Sequence, residues 1–108
     1  MLSWWRAMWL FVFFDLPVKS KPQRKRATEF RRSLLKDGFE MAQYSVYLRP
    51  CPTDENASIH VRRVQGIIPQ EGKVRILKIT DAQFSRMHCF QGKIPIPPEH
   101  QPRQLDLY

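Results

Sequence analysis

The first clear pattern is an unbroken apolar run from Met8 to Phe14, which ends at Asp15 and is followed by Pro17. A continuous aromatic-rich run of this length is typical of a strand covered on both faces, so we predict the central strand of a sheet here. Pro17 lacks a backbone donor and ends the strand. Asp15 therefore lies at the carboxyl end of a rigid strand, where a carboxylate can hold a metal or orient a polar group. On position alone, a simple capping role at the turn is favoured.

The segment from Val18 to Gly38 changes to helical spacing. Ser20 is the expected N-cap, Pro22 suits the first turn, and Gly38 ends the helix. One face of this helix is apolar, because hydrophobic residues recur at helical intervals. The predicted inward positions are Ala27, Phe30, Leu34 and Leu35.

Strand-like alternation returns between Phe39 and Pro52, but its phase changes. This predicts a bulge or break near Gln43, with either one bent strand or two short strands. Thr53 is expected to cap a second helix that ends at Gly66. The remaining predicted elements are a strand over 73–80, a turn over 81–87 and a short last strand over 88–93.

The predicted order of elements is βαββαβ, which indicates an α+β fold of the ferredoxin-like type, with both helices on one face of an antiparallel sheet and an extra C-terminal strand. The other face would then expose Trp9, Phe11 or Phe13. A large exposed apolar patch favours pairing with a second copy, so we predict a homodimer.

We assign residues 1–93 to this domain and treat residues 1–7 as a short extension; the alternative is a start at Met8. Residues 94–108 are rich in proline, which excludes regular helix or sheet interior and predicts an extended arm. The arm carries enough apolar residues to dock on a partner, although a frayed terminus is equally consistent with the sequence.

Composition indicates one domain with a polyanionic partner. The chain has 108 residues, with 18 Lys and Arg against 10 Asp and Glu, and a net charge of +8. Nucleic acid is the first candidate partner and an acidic membrane the second. The apolar amino-terminal patch is far shorter than the ~18 residues of a membrane span. We therefore expect a cytoplasmic protein without membrane attachment. Cys51 and Cys89 show no CxxC spacing and fit free thiols in a reducing compartment, with a disulfide between them as the alternative.

The positive charge is concentrated in the first helix. Between Lys19 and Lys36 there is a single acid, Glu29, whereas solvated helix faces normally mix charges of both signs. Phosphate binding is therefore favoured over a merely solvated face. The basic residues are Lys19, Lys21, Arg24, Lys25, Arg26, Arg31, Arg32 and Lys36.

Several short motifs together resemble the CRISPR-associated protein two family, the small adaptation protein of CRISPR systems. The motifs are Phe-Phe-Asp-Leu-Pro (13–17), Arg-Lys-Arg-Ala-Thr-Glu-Phe (24–30), Lys-Asp-Gly-Phe (36–39), Gln-Tyr-Ser-Val-Tyr (43–47) and Val-Arg-Ile-Leu-Lys-Ile-Thr (74–80). The resemblance extends from Met8 to about Lys93. It is most similar to members from systems with a single large effector nuclease.

The resemblance implies a homodimer at the centre of the spacer-acquisition complex, where it would hold double-stranded DNA between dimers of the CRISPR integrase. It also implies a metal-dependent endonuclease acting on RNA or DNA, with Asp15 as metal ligand and catalytic residue. Arg24, Arg26 and Tyr47 match positions tied to activity, and Phe14 replaces a common tyrosine, so both aromatic positions are candidates for an assisting role.

Mg²⁺ or Mn²⁺ is the implied cofactor. Since Mg²⁺ usually takes one or two carboxylates and keeps several waters, we expect two Asp15 side chains to share one ion across the dimer. A toxin-like ribonuclease of the messenger RNA interferase type, which shares the fold and the dimer, is the alternative function. His60, His88 and His100 show no metal-binding spacing and are interpreted as structural or solvated.

Overall fold

The computed structural model describes residues 7–98, so most of the proposed amino-terminal extension and the last ten residues of the proposed arm lie outside the described part. Nine elements follow one another along this part of the chain. They are β1 (Met8–Asp15), α1 (Lys21–Lys36), β2 (Glu40–Gln43), β3 (Val46–Cys51), α2 (Asp54–Gln65), β4 (Lys73–Thr80), α3 (Asp81–Ser85), β5 (Cys89–Gln91) and β6 (Ile94–Ile96).

The first four strands form one antiparallel sheet in the order β2-β3-β1-β4. The prediction that the apolar run forms an inner strand is confirmed, because β1 pairs with β3 along one edge and with β4 along the other. Trp9, for example, lies between Pro50 and Ile79. Apolar side chains are needed on both sides of β1 because both faces of the sheet are at least partly covered.

One face of the sheet packs against α1 and α2. Leu10, Val12 and Phe14 of β1 join buried residues of the two helices in one core cluster. Ser20 caps α1 in a capping box with Gln23, and Thr53 caps α2, as predicted for both N-caps. The helix residues of this cluster are Phe30, Leu34, Ala57 and Val64.

The apolar face of α1 is narrower than predicted. Ala27, Phe30 and Leu34 are buried, but Leu35 is 52 % exposed. Adjacent helix positions lie about 100° apart around the axis, so Leu34 and Leu35 cannot both point directly at the same sheet. The prediction for Leu35 is therefore wrong.

The opposite face of the sheet holds a second, smaller core around Trp9, whose ring stacks on Phe84 with the centroids 3.9 Å apart. The indole Nε1 of Trp9 donates a hydrogen bond of 2.8 Å to Oδ1 of Asp81, a buried carboxylate. Phe11 and Leu48 complete this cluster. Within residues 7–98, the short α3 is the helix that packs on this face.

Phe84 and Asp81 belong to α3, where the sequence predicted only a turn. The Thr80 hydroxyl caps this short helix by accepting a hydrogen bond from the backbone N–H of Gln83, and the backbone N–H of Thr80 donates to Oε1 of Gln83, which completes a capping box. The Thr-x-x-Gln spacing is a recognised signal for a helix start. The helix forms because burial of Phe84 against Trp9 stabilises a segment too short to be helical alone.

The phase change between β2 and β3 is confirmed as two short strands with an irregularity. The register between them shifts between Met41 and Gln43. Tyr44 and Ser45 form the connecting turn, and Ser45 has a φ of 62°, which is uncommon for a residue other than glycine.

The extra C-terminal strand exists, but it does not extend the main sheet. β5 pairs with β6 in a separate two-stranded sheet, so residues 94–96 form a strand of a hairpin, whereas we predicted that they begin an extended arm. Pro95 is accommodated because a strand in a two-stranded hairpin has one edge that needs no donor. No helix within residues 7–98 is long and apolar enough to cross a bilayer.

Candidate nucleic-acid-binding and catalytic site

Asp15 is exposed at the end of β1. Because side chains alternate along a strand, Asp15 belongs to the same sheet face as Phe11 and Phe13, which is the face away from α1 and α2. Its cross-strand neighbour on β4 is Lys73. The chain can approach closely here because residue 72 is glycine with a φ of +94°, and a Cβ at that position would lie 2.6 Å from the Asp15 carbonyl oxygen.

Phe14 and Tyr47 lie inside the protein on the helix face of the sheet. They are 7 % and 3 % exposed, and their ring centroids are 5.6 Å apart. Phe14 also makes an edge contact with Phe30 of α1. Their assisting role stays a prediction; in these positions it would act by holding the end of β1 rather than by direct contact with a substrate.

Asp15 is the candidate metal ligand of each chain. Among residues 7–98 no three Asp, Glu, His or Cys side chains are grouped so that they could hold a metal ion. An exposed carboxylate fits Mg²⁺, which accepts one or two carboxylates and retains water ligands. A stronger site would need the Asp15 carboxylate of a second copy, and the orientation of Asp15 toward the uncovered face is compatible with this arrangement.

Three of the predicted phosphate-binding arginines make contacts within the chain. Arg24 donates to the carbonyl oxygens of Val18 and Lys19, at 3.3 and 3.2 Å. Arg26 forms an ion pair of 2.8 Å with Glu71. Arg31 donates to the hydroxyl of Thr28 at 3.3 Å. Only Arg26 is neutralised by a carboxylate, and that pair is exposed.

The other predicted cations are exposed, and the described structure gives them no ion pair. A shallow concavity on α1 is lined by several of them together with Glu29. α1 lies on the opposite face of the sheet from the Asp15 side chain, although its first residues follow β1 closely in the chain. The exposed cations in question are Lys19, Lys21, Lys25, Arg32 and Lys36.

A polar cluster around Asp37 was not predicted from the sequence. His60 Nδ1 lies 2.7 Å from Oδ2 of Asp37, and Arg63 donates to Oδ1 at 2.9 Å. The backbone carbonyl of Asp37 accepts a bond of 2.8 Å from Arg49. Burial acts to raise the pKa of Asp37, but the hydrogen bonds and charges of His60 and Arg63 outweigh it and hold the pKa below its usual value.

This cluster has a structural role, because it joins the end of α1 to α2 and β3. The sequence contains one indication of this cluster: His60 and Arg63 are three residues apart on α2, so their side chains lie on the same side of the helix. Nothing in the sequence pairs them with Asp37, which is 23 residues away from His60. The prediction that His60 is structural is confirmed.

The comparisons with known proteins agree with these features. The family model described as CRISPR associated protein Cas2 matches residues 8–87. The chain is 44 % identical over 107 residues to the CRISPR-associated endoribonuclease Cas2 of Flavobacterium psychrophilum, covering 99 % of this chain and 93 % of that one. It is 46 % identical over 101 residues to the protein of that name from Parvibaculum lavamentivorans, covering 94 % and 100 %.

A third relative of the same name, from Paracidovorax avenae, is 44 % identical over the whole of both chains. A solved structure described as "Crystal structure of cas2" superposes with a TM-score of 0.50 at 20 % identity, covering 68 % of this chain and 76 % of that one, which supports the fold alone. The molecule is thus a small α+β domain with an antiparallel sheet. It belongs to the CRISPR-associated Cas2 family. This membership does not favour the stand-alone toxin-like ribonuclease.

Proposed function

We propose that this protein is a cytoplasmic nucleic-acid-binding homodimer that acts with the CRISPR integrase in spacer acquisition by holding double-stranded DNA. The proposal rests on the exposed lysine and arginine side chains of α1, most of which have no carboxylate partner in the described structure. Lys21, Lys25 and Arg32 are free to contact phosphates, and contacts to phosphates do not depend on the base sequence. Binding of this kind is sensitive to salt and indifferent to sequence.

The face of the sheet opposite α1 and α2 supports the dimer, because it is only partly covered within residues 7–98. A groove of about 570 Å³ runs between this face and the β5–β6 hairpin and is lined mainly by apolar side chains. Leu77 is 48 % exposed, and Phe90 and Ile94 of the hairpin are 59 % and 68 % exposed. The β2-β3-β1-β4 order with α1 and α2 on one face suits a ferredoxin-like sandwich, which needs a second layer on the other face. A second copy would supply that layer.

The dimer would bring the two Asp15 side chains to the face that the copies share. We propose, as a second activity, metal-dependent hydrolysis of RNA or DNA at this position, since the relatives are named endoribonucleases. Mg²⁺ or Mn²⁺, when bound, would polarise a phosphate and lower the pKa of a water. The two Asp15 carboxylates would hold and orient the ion, and Lys73 beside each would attract the phosphate.

The DNA-holding function is tested by the salt dependence of duplex affinity. Replacing Lys21, Lys25 or Arg32 with alanine is expected to reduce the slope of log K against log salt by about 0.9 for each lost phosphate contact. Arg26→Ala is the matched control, because Arg26 already pairs with Glu71 and should change the slope less. Unchanged slopes for all three unpaired cations would remove α1 from the interface.

The integrase and the nuclease are tested separately. Spacer integration with the cognate integrase is expected to need the intact dimer, and Asp15→Ala shows whether the carboxylate takes part. Cleavage of RNA or DNA is expected to stop in Asp15→Ala and when a chelator removes divalent cations. Cleavage that persists in a clean Asp15→Ala preparation would contradict the assignment of the nuclease to this residue.

A further inference from the structure

Tyr44 is the most exposed of the large hydrophobic side chains in residues 7–98, at 90 %. It lies in the β2–β3 turn, and the next residue, Ser45, has the uncommon φ of 62°. The turn is nonetheless fixed, because the backbone N–H of Phe14 donates to the carbonyl of Ser45 at 3.0 Å. An aromatic ring that contacts almost nothing on a fixed turn does not contribute to the core. Backbone conformations of this kind are concentrated at functional sites.

The sheet register places this turn beside Asp15. Phe13 lies opposite Val46, and the bond from Phe14 to Ser45 continues the same register by one step. Tyr44 precedes Ser45 in the turn toward β2, so it lies at the same end of the sheet as Asp15, the last residue of β1. On the other side of β1, Lys73 of β4 lies opposite Asp15. Tyr44 on the β2–β3 turn, Asp15 on β1 and Lys73 on β4 thus lie at the same end of the sheet, and we call these three residues the row.

Tyr44 lies outside the apolar groove that we assign to dimerisation. Tyr44 does not line that groove, whereas Phe13, Val46 and Phe90 do. The chain neighbours of Tyr44 are polar, namely Gln43 and Ser45. An isolated exposed ring among polar neighbours suits a flat ligand with its own polar edge better than it suits a protein core.

We propose that Tyr44 stacks on an unpaired base of a single-stranded nucleic acid and that Lys73 binds the adjoining phosphate, so that the strand passes over Asp15. The proposal deepens the nuclease function proposed above and rests on it. A protruding ring can stack only on a base that is not already stacked on both sides, whereas a duplex presents its phosphates and grooves. The α1 surface would then bind duplex DNA, and the row at the sheet end would bind single strands.

The first experiment measures binding without any metal, so that it does not depend on catalysis. Fluorescence anisotropy of a labelled single-stranded RNA in excess chelator gives Kd for wild type, Tyr44→Ala and Tyr44→Phe. Loss of the ring is expected to raise Kd roughly 5-fold or more, while phenylalanine keeps the stacking surface and stays within about twofold. Ile59→Ala, which removes an exposed apolar side chain from α2, is the matched control.

The second experiment tests the phosphate contact. Lys73→Ala and Lys93→Ala remove the same charge from exposed positions, but Lys93 lies in the β5–β6 hairpin. Lys73→Ala is expected to weaken single-strand binding more than Lys93→Ala. It should also reduce the slope of log K against log salt by about 0.7, the value for one lost phosphate contact on a single strand. Equal effects of the two variants would mean that only net charge matters, and Lys73 would be removed from the row.

The two proposals fail in different ways. If Asp15→Ala abolishes cleavage while Tyr44→Ala leaves Kd and KM for single strands unchanged, the stacking role is wrong and the Asp15 site stands. If Tyr44→Ala weakens single-strand binding but no cleavage depends on Asp15, the row binds nucleic acid and the nuclease assignment is wrong. An equal loss of duplex and single-strand affinity in Tyr44→Ala would also overturn the stacking role. Sedimentation of each variant establishes that the oligomeric state is unchanged.

Discussion

Replacing Asp37 with alanine is expected to lower the free energy of unfolding by about 2–4 kcal/mol. The larger part comes from His60, whose side chain is 5 % exposed and whose Nδ1 lies 2.7 Å from the Asp37 carboxylate. Removing a charged acceptor from a buried partner costs about 1.5–3 kcal/mol. The Arg63 side chain is 62 % exposed, so its ion pair contributes only about 0–1 kcal/mol.

The measurement is urea unfolding followed by circular dichroism at neutral pH. Protein concentration is held fixed, because the stability of a dimer depends on it. Asp37→Asn keeps one acceptor oxygen for His60 and is expected to lose less than Asp37→Ala. Glu71→Ala removes an exposed ion pair with Arg26 and is the control, with an expected loss below about 1 kcal/mol.

Equal unfolding midpoints for Asp37→Ala and wild type, with equal slopes, would refute this reasoning. His60 would then have found another partner, or the link between α1 and α2 would not contribute to stability. An Asp37→Ala, Arg63→Ala double variant separates the two bonds. Because Arg63 is exposed, the double variant should be close to Asp37→Ala alone.

Three further outcomes are expected. Gly72→Ala should lower the free energy of unfolding by about 1–3 kcal/mol in thermal unfolding, because residue 72 has a φ of +94° and an added Cβ would lie 2.6 Å from the carbonyl oxygen of Asp15. Gly66→Ala is the control and should be nearly neutral, because Gly66 has right-handed helical backbone angles. The pKa of Asp37 in the folded protein lies below its ordinary value of 3.8, so ionised Asp37 stabilises the fold above that pH and this stabilisation is lost as the pH falls through the folded-state pKa. The urea midpoint of wild type should therefore fall between about pH 5 and pH 2, and Asp37→Asn should lose this part of the pH dependence. Burial raises the pKa of the Cys51 thiol, so a disulfide reagent should modify Cys51 more slowly than the less buried Cys89 in the folded protein and at a similar rate in urea.

The helices and strands with strong local signals were predictable. Ser20 and Thr53 cap their helices through side-chain oxygens that act within three residues, and the apolar run of β1 needs no distant information. The two elements that were predicted wrongly, α3 and β6, are short. Each is stabilised by a distant or paired segment, Trp9 for α3 and β5 for β6.

The candidate site divides in the same way. The sequence identified Asp15 at a strand end and a helix with almost only positive charge. It did not show that Arg26 is paired with Glu71, which is 45 residues away, or that Tyr47 packs against Phe14 on the sheet face that the helices cover. Those facts depend on strand register and on which face each helix covers.

The sequence by itself determined the order of most elements, the burial of β1, the concentration of charge on α1 and the similarity to one family. These properties follow from spacing of two, three or four residues and from composition, which act over short stretches of chain. Only the tertiary structure decided that Tyr44, Asp15 and Lys73 lie at the same end of the sheet, and that Asp37 joins α1, α2 and β3. Neighbours of this kind are set by strand pairing and helix packing across long separations, and local patterns carry no information about them.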